Sequence, residues 1–489
     1  MERRNIMAVL QGLKPEKVFE YFELLCSVPH GSGNTKQVSD IIAGFAKDHG
    51  FRYLQDSLNN VVIFKEASEG YEEAEPVILQ GHMDMVCAKA PGCEKDMARD
   101  GLDLCTDGAY VWAEGTSLGG DNCIAVALTM ALLDDDSLCH PALECIFTVD
   151  EETGMYGAEG LDCTVLRGRK FLNLDSEEEG VFTVSCAGGR NVDAFLPAPR
   201  TAVTKGTALR VKISGLTGGH SGCEIEKGRL NASKLMGRVL YQALQNFSSL
   251  RLSELSGGKF MNVITPEAEA TVVLSPEEKD GFISFIQKTE AKIRSEVSAT
   301  EPGLRISVSE EKKAAKAVTR EATEKILYCL FVIPQGVQAM SFDFPGLPQT
   351  SLNLGIMELS EDAFTARYFI RSSKTSQGET VAEKIRAILS HEGGETSVNG
   401  IFPAWEYRKD SPFRDLLVRV YHDMTGKEAQ VMATHGGLEC GLFSEKIAGI
   451  DAVSLGPELH DIHSEHEKLG VASVGRLYEL VAETLRQSR

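Results

Sequence analysis

Apolar side chains occur along this chain in short runs that predict buried strands. One run, VIL at 77–79, lies in the segment PVILQGHMDMVCAK at 76–89. It leaves no polar face, so we expect its strand to lie in a sheet that is covered on both sides. Gly81 is expected to end the strand, and His82 and Asp84 follow directly.

Acidic or histidine residues follow several other predicted strands and turns. They are Asp121 after Gly119 and Gly120, Glu151 and Glu152 after the strand Leu143–Val149, Asp175 after Phe171–Leu174, and His463 after Ala452–Leu455. In open α/β sheets, ligands bind beyond the carboxyl ends of the strands. We therefore expect these side chains to converge with His82 and Asp84.

Helical and strand patterns alternate over the first part of the chain. Helical spacing at 15–26 and 35–49 precedes apolar strands at 51–64 and 76–80. This alternation predicts an α/β fold, with a mostly parallel sheet and helices on both faces. The segment 91–118 is rich in Asp and Gly, and we expect an irregular loop over the site.

The pattern changes after Asp175. Strands and helices then follow in βαββαβ order, which is typical of a ferredoxin-like domain, at 208–215, 229–247, 260–265, 268–274, 276–299 and 304–308. A second, less regular series of predicted helices and strands follows. The last stretch of the chain returns to the order helix, strand and helix. We predict a discontinuous catalytic domain at 1–187 and 400–489, with an inserted α+β lid domain at 188–399.

Composition narrows the class of protein. The 489 residues are 43% hydrophobic and 25% charged, which is typical of a soluble globular protein. The net charge of −21 disfavours nucleic acid and anionic membranes as partners and favours small or cationic substrates, although it also fits a merely solvated surface. No apolar run approaches the ~18 residues that cross a bilayer, and residues 1–18 lack a signal-peptide pattern.

Cysteine usage indicates the compartment. Several of the 12 cysteines lie in apolar segments, among them Cys123, Cys145, Cys186 and Cys329. No CxxC pair points to a thiolate metal site. We expect reduced core residues of a cytoplasmic protein.

Three carboxylates in a row, Asp150, Glu151 and Glu152, repel one another unless a cation or water takes up the charge. Consecutive side chains of an extended chain point to opposite sides, so we predict Glu152 as a metal ligand and Glu151 as a general base. His82 is a further candidate ligand, with Asp84 fixing its ring. The alternative for this pair is a surface histidine beside a solvated aspartate.

The candidate ligands carry imidazole or carboxylate groups. They are His82, Asp121, Glu152, Asp175 and His463. Their three carboxylates would be neutralised by two divalent ions and one hydroxide, with one carboxylate bridging. Without thiolates zinc is favoured, and manganese or cobalt are alternatives. For Asp121 the alternative is a plain helix N-cap.

Six motifs together resemble a known family. They are GHMDMV, SLGGDNCIA, TVDEETGMYGA, LNLDSEEEG, GLTGGHSG and IHSEHE. Their order over nearly the whole chain resembles the co-catalytic metallopeptidases related to carboxypeptidase G, aminoacylase and carnosinase, and within them the aminoacyl-histidine dipeptidase group. Where the last motif usually has Pro, this chain has Glu465.

The resemblance implies two zinc ions per subunit. It assigns His82 and Asp175 to one ion and Glu152 and His463 to the other, with Asp121 bridging them. The same resemblance implies a cis peptide bond after Asp121.

Further roles follow from the same resemblance. Asp84 would orient His82, Glu151 would be the general base, and His220 would be a transition-state donor from the lid.

Three residues are candidate substrate contacts by the same resemblance: Asn262, Arg371 and His435. Asn262 could instead cap a turn, and Arg371 could pair with a surface carboxylate.

The implied activity is hydrolysis of dipeptides with broad specificity, Xaa-His dipeptides included. Alternatives within the family are an N-acyl-amino-acid deacylase and a tripeptidase, and an alternative outside catalysis is an inactive metal-binding scaffold. Retention of Glu151 argues against the scaffold. The implied partners are a small peptide and, through the lid, a second copy of the chain.

Overall fold

Two units make up the chain in this computed structural model, which describes residues 9–311 and 314–489. The first unit takes in the chain up to Ser185 with residues 407–433 and 438–489, and the second takes in 186–406 and 434–437. The chain therefore enters the second unit once and returns to the first, apart from the short segment 434–437. Part of the amino-terminal pattern considered above, residues 1–8, lies outside the described residues.

The first unit contains a large sheet with eight strands. In spatial order they are Arg52–Gln55, Val61–Lys65, Leu143–Thr148, Val77–His82, Lys170–Asn173, Asp451–Ser454, Val181–Cys186 and Gln430–Thr434. A smaller sheet has the strands Leu459–His460, Lys468–Gly470, Tyr110–Ala113 and Leu104–Thr106. The helices are Glu16–Cys26, Lys36–Asp48, Gly120–Asp134, Glu151–Gly154, Tyr156–Gly160, Pro412–Thr425, Cys440–Lys446 and Val471–Arg486, with a 3-10 turn at Cys163–Val165.

Parallel pairing is found at the centre of this sheet. The strands Leu143–Thr148, Val77–His82, Lys170–Asn173 and Asp451–Ser454 pair in parallel, and the flanking strands with a described register pair antiparallel. The mixed α/β class is confirmed. The carboxyl ends of the four central strands therefore meet at one edge.

The central strand is buried at every position from Val77 to His82. Gly81 does not end it, contrary to the prediction, because Gly81 and His82 still pair with Phe147 and Thr148. A Cβ added at Gly81 would lie 2.6 Å from Oδ1 of Asn122. The glycine therefore serves the close approach of a helix to the strand.

The second unit contains a nine-stranded sheet. Eight strands run in the order Arg305–Glu310, Thr207–Ser214, Ala268–Leu274, Arg251–Gly257, Pro348–Leu359, Ala363–Ser372, Gly188–Pro197 and Glu395–Phe402, and Gly336–Met340 pairs with Pro348–Leu359. Short two-stranded sheets join Arg200–Ala202 to Lys316–Val318 and Gly219–His220 to Val263–Ile264. The helices are Ala232–Leu244, Lys279–Val297, Arg320–Val332 and Thr375–His391, with 3-10 turns at Ile225–Lys227 and Pro276–Glu278.

Three local predictions were wrong. The strand predicted at 260–265 shrinks to Val263–Ile264, and the strand Arg251–Gly257 takes its place. A bulge between Leu252 and Glu254 interrupts the alternation there, which hides the strand period. The predicted strand 51–64 is two antiparallel strands, and the predicted loop 91–118 contains two short strands.

The cysteines agree with the sequence-based expectation of core residues. The four cysteines singled out above, Cys123, Cys145, Cys186 and Cys329, are all buried. Within the described residues, no helix combines the length and apolar character that crossing a bilayer requires.

A buried polar cluster lies within the central strands of the first unit. Glu439 Oε2 accepts hydrogen bonds from Gln80 Nε2 at 2.6 Å and Thr148 Oγ1 at 2.7 Å. Asn173 Nδ2 donates to Gln80 Oε1 at 2.6 Å. Burial raises the pKa of the Glu439 carboxyl to about 8. A carboxyl in this position is stable chiefly in its neutral form.

We expect Glu439→Gln to gain stability relative to the wild-type protein as the pH rises. The folded carboxyl keeps its proton up to a pKa of about 8, whereas the unfolded one releases it near 4.5. The stability that this group contributes is fully present below the unfolded pKa and is lost as the pH rises through the folded pKa. Glutamine stays neutral throughout.

Urea unfolding of both proteins at about pH 5 and about pH 8.5 measures the difference in their free energies of unfolding. This difference changes by at most about 1.4 kcal/mol per pH unit. An equal difference in stability at both pH values would show that Glu439 is ionised in the folded protein.

Candidate active site

His82 ends the central strand with both ring nitrogens engaged. Its Nδ1 lies 3.0 Å from the carbonyl oxygen of Asp84 and 3.4 Å from Oδ1 of the same residue. Its Nε2 lies 3.2 Å from Oδ1 of Asp121 and 3.4 Å from Oδ1 of Asp175. His82 and Asp84 are both buried, so the surface alternative for this pair is wrong. An Nδ1–H that donates to Asp84 leaves Nε2 available to a cation.

Asp121 lies between two imidazoles. Its Oδ1 faces His82, and its Oδ2 lies 3.2 Å from Nε2 of His463. Asp121 and Asn122 interrupt the helix Gly120–Asp134 with non-helical backbone angles, and both side-chain oxygens of Asp121 face imidazoles rather than backbone N–H groups, so the plain N-cap alternative is wrong. The peptide bond between Asp121 and Asn122 is cis, as the resemblance implies. One carboxylate thus presents its two oxygens to two different groups of side chains.

Among the described residues, three groups of side chains have the spacing of metal ligands, with ligand atoms within 4.8 Å of one another. They are His82 with Asp121 and Asp175, Asp121 with Glu152 and His463, and His82 with Glu151 and Glu152. The first two groups share Asp121 and together hold all five predicted ligands. Two imidazoles and three carboxylates fit zinc, manganese or cobalt better than softer ions.

The pKa shifts show how strongly this cluster favours positive charge. Hydrogen bonds that His463 donates to Asp121 and Glu152 raise its pKa to about 10. Burial raises the pKa of Asp175 to about 7. For His82 burial lowers the pKa, but the neighbouring charge of Asp175 and hydrogen bonds to the aspartates raise it well above its ordinary value. A cation at this edge of the sheet would relieve the same repulsion among the carboxylates.

Asp84 connects the imidazole to the acidic segment after the next strand. Its Oδ1 accepts the N–H of Glu151 at 3.1 Å, and its Oδ2 accepts the N–H of Glu152 at 3.4 Å and the hydroxyl of Ser32 at 2.8 Å. These bonds hold Glu151 and Glu152 at the start of a helical turn. The extended conformation predicted for these residues is therefore wrong, although Glu152 still faces His463 at 2.9 Å.

Glu151 has a strong affinity for a proton. Burial raises the pKa of its carboxyl well above the ordinary value, and the nearby Asp175, Glu439 and Glu152 raise it further. Such a carboxyl accepts a proton more readily than a solvated one. Its position favours proton transfer.

The two histidines that flank His463 lie apart from these groups. Nε2 of His460 is 2.7 Å from Glu458, and the exposed His466 lies 3.9 Å from Glu465. Sequence reasoning missed Glu467, which follows in the same motif and is buried against the segment that carries Asp121. The available signal was its position four residues after His463.

A second polar cluster lies within the second unit. The Arg371 guanidinium is buried, stacks on the Phe369 ring at 4.6 Å, and has an Nε atom without a hydrogen-bond partner. Among the described residues no carboxylate pairs with it, so the alternative of a surface ion pair is wrong. Burial lowers its pKa to about 10. A buried guanidinium without an anion is costly, which indicates a place for an anionic ligand.

His435 lies in the same cluster. Its Nε2 is 2.8 Å from Oγ of Ser351, and burial together with the charge of Arg371 lowers its pKa to about 3. It is therefore neutral at physiological pH. A neutral imidazole beside a guanidinium can hydrogen-bond to a ligand without charge repulsion between the two side chains.

His220 and Asn262 lie on two paired segments of the second unit. The N–H of Ser221 donates to the carbonyl of Asn262 at 2.8 Å, and Nδ1 of His220 accepts the N–H of Cys223 at 3.1 Å. An accepting Nδ1 leaves the proton of the neutral ring on Nε2. Burial and the charge of Arg371 lower the pKa of His220. His220 thus offers one neutral N–H donor, and the Asn262 side chain is exposed.

Comparison with known proteins gives consistent relatives. The chain is 34% identical over 485 residues to the cytosol non-specific dipeptidase of Escherichia coli K12, which covers 98% of this chain and 99% of that protein. The crystal structure of aminoacylhistidine dipeptidase from Vibrio alginolyticus superposes with a TM-score of 0.91 at 33% identity, over 98% of each chain. Aminopeptidase PepT from Bacillus cereus shares the fold, with a TM-score of 0.56 at 15% identity over 97% of this chain and 99% of that one.

The family profile agrees with these relatives. Residues 78–487 match the profile of peptidase family M20/M25/M40. This match spans most of the chain and includes every candidate metal ligand. The chain therefore belongs to peptidase family M20/M25/M40.

Proposed function

We propose that this protein is a metal-dependent dipeptidase of broad specificity, with Xaa-His dipeptides among its substrates. The observation that carries the proposal is Asp121, whose two carboxylate oxygens face two separate groups of candidate ligands. The likeness to two dipeptidases over nearly the full chain supports the substrate class. On the same likeness to a cytosol enzyme we propose a cytoplasmic location. A homodimer through the second unit stays a prediction.

In this proposal the five ligands hold two divalent ions, with zinc favoured. His82 and Asp175 would hold one ion and Glu152 and His463 the other, with Asp121 shared between them. When bound, two such ions lower the pKa of water and polarise a carbonyl group. Asp84 supports this arrangement, since it holds the His82 ring from its far side.

Glu151 is proposed as the group that moves the proton. Its buried carboxylate takes a proton from the attacking water as the water oxygen bonds to the scissile carbonyl carbon. When the C–N bond breaks, the same carboxyl gives that proton to the leaving amine. The products are two free amino acids, and Glu151 returns to its starting state.

Residues of the second unit are proposed to recognise the substrate. Arg371 would bind the carboxylate of the dipeptide, which supplies the anion that its buried guanidinium lacks. His435 and Asn262 would contact the same end of the substrate. His220 would donate its Nε2 proton to the oxyanion, which assigns the second unit the role of a lid that supplies catalytic contacts.

A substrate panel tests the function. We expect dipeptides to be hydrolysed much faster than tripeptides and N-acyl amino acids, and we expect activity to be lost on chelation and restored by two equivalents of metal per chain. Preference for N-acyl amino acids or tripeptides would select one of the two enzymatic alternatives. Metal binding without hydrolysis of any of these compounds would favour the scaffold.

We expect Glu151→Gln to lower kcat by about 10²–10⁴ while metal content stays near that of the wild-type protein. An amide has the size of the carboxyl but cannot accept the proton of water. Elemental analysis beside a kinetic assay measures both quantities.

The matched variant is Glu152→Gln, which removes a ligand and should therefore lose metal as well as activity. Loss of metal in the Glu151 variant alone would mean that the two roles are exchanged.

We expect Arg371→Met to raise KM for dipeptides by about 10–100-fold, the usual effect of losing a hydrogen-bonded charge. The same variant should affect hydrolysis of dipeptide amides much less, because these lack the carboxylate. Arg367→Met is the control, since Arg367 lies exposed on the same strand and pairs only loosely with Asp193 at 3.8 Å. Equal losses on dipeptides and their amides would refute carboxylate recognition by Arg371.

A further inference from the structure

Glu467 is a buried carboxylate that no step above uses. Its side chain is 3% exposed. Its Oε2 accepts the backbone N–H groups of Leu118 at 2.8 Å and Gly119 at 3.1 Å. Its Oε1 accepts those of Gly120 at 2.8 Å and Asp121 at 3.3 Å. One carboxylate thus binds four consecutive N–H groups of the segment that ends at Asp121.

The two glycines allow this approach. Gly119 has a φ of 66°, which favours glycine, and it precedes the first residue of the helix Gly120–Asp134. A Cβ added at Gly120 would lie 3.2 Å from Oε1 of Glu467 and 2.8 Å from Cδ2 of Leu459. The segment and the carboxylate are therefore packed against each other as well as hydrogen-bonded.

Glu467 also lies four residues after His463, the partner of Asp121 at 3.2 Å. The N–H of Glu467 donates to the carbonyl of Ser464 at 3.3 Å, which closes the turn between His463 and Glu467. A single short segment therefore presents one candidate ligand and holds the backbone of another. Residues 121 and 463 are distant in the sequence, so their spacing depends on such a contact.

We propose that Glu467 is a positioning residue that sets Asp121 at the distance from His463 that two metal ions require. This inference rests on the proposed dinuclear centre. Glu467 touches neither metal nor substrate and acts through the backbone of 118–121. A weaker role, in which Glu467 only stabilises the start of a helix, predicts a loss of stability without a specific effect on metal binding.

Glu467→Gln is the principal variant. An amide offers one acceptor oxygen, and its NH₂ group would face N–H donors of the same segment. At least two of the four hydrogen bonds are then lost, so Asp121 is held less firmly. Changes in groups that support metal ligands typically lower metal affinity by about 10–100-fold, and we expect a loss in this range.

Glu144→Gln is the matched control. Glu144 is equally buried, and its carboxylate accepts the N–H of Arg167 at 2.9 Å and that of Gly168 at 3.0 Å. The same chemical change is thus made in a carboxylate that binds backbone N–H groups away from the candidate ligands. We expect its metal affinity to stay within about twofold of the wild-type value, well below the effect expected for a supporting group.

The experiment titrates metal-free full-length proteins with Co²⁺ against a chelating indicator and records the EPR spectrum of the Mn²⁺ form. Two Mn²⁺ ions that share a carboxylate couple magnetically, whereas isolated ions do not. We expect Glu467→Gln to bind both ions more weakly and to lose the coupled signal, with unchanged circular dichroism. Unchanged affinity and coupling in this variant, or an equal loss in Glu144→Gln, would overturn the inference.

The two proposals fail in different ways. If the wild-type protein binds fewer than two ions, both the dinuclear centre and the positioning role of Glu467 are wrong. If Glu467→Gln keeps a magnetically coupled pair of ions, only the positioning role is wrong. If Glu467→Gln does not fold, Glu467→Asp is measured instead. It keeps the charge but is one methylene shorter, and it should lower affinity and coupling in the same direction.

Discussion

Repulsion among clustered carboxylates is the constraint on which the candidate centre depends. Asp121, Glu152 and Asp175 meet two imidazoles at one edge of the central sheet, where burial raises the pKa of Asp175. The same carboxylates stabilise positive charge on His463, whose pKa is raised. Divalent cations relieve this repulsion by binding the lone pairs of the same carboxylates and imidazoles. A peptidase that uses metal ions needs such an arrangement before substrate arrives.

Carboxylates that are not ligands stabilise this arrangement. Asp84 binds the His82 ring and the N–H groups of Glu151 and Glu152, so it couples one proposed ligand to the proposed base and to another ligand. Glu467 binds the backbone of the segment that carries Asp121. Each accepts several N–H groups, which stabilises its negative charge in place of water. These hydrogen bonds hold the backbone of the proposed ligands and of the proposed base in place.

The second unit presents the opposite electrostatic problem. Arg371 is a buried cation with no carboxylate partner among the described residues, and the neighbouring His435 is neutral. In the proposed function, the carboxylate of the substrate supplies the anion that the Arg371 guanidinium lacks.

Sequence patterns by themselves determined the buried central strand, the mixed α/β class and the residue types that meet at its edge. Apolar runs mark strands because burial requires them, and the carboxyl ends of parallel strands converge at one edge. Tertiary structure alone decided the helical turn at Glu151, the strand Arg251–Gly257, the burial of Arg371, and the contacts of Glu439 and Glu467. Glu439 and Glu467 bind groups 359 and 349 residues away in the chain, so no local pattern reveals their partners. Local periodicity reports the faces of one element, whereas these contacts arise only when distant elements pack together.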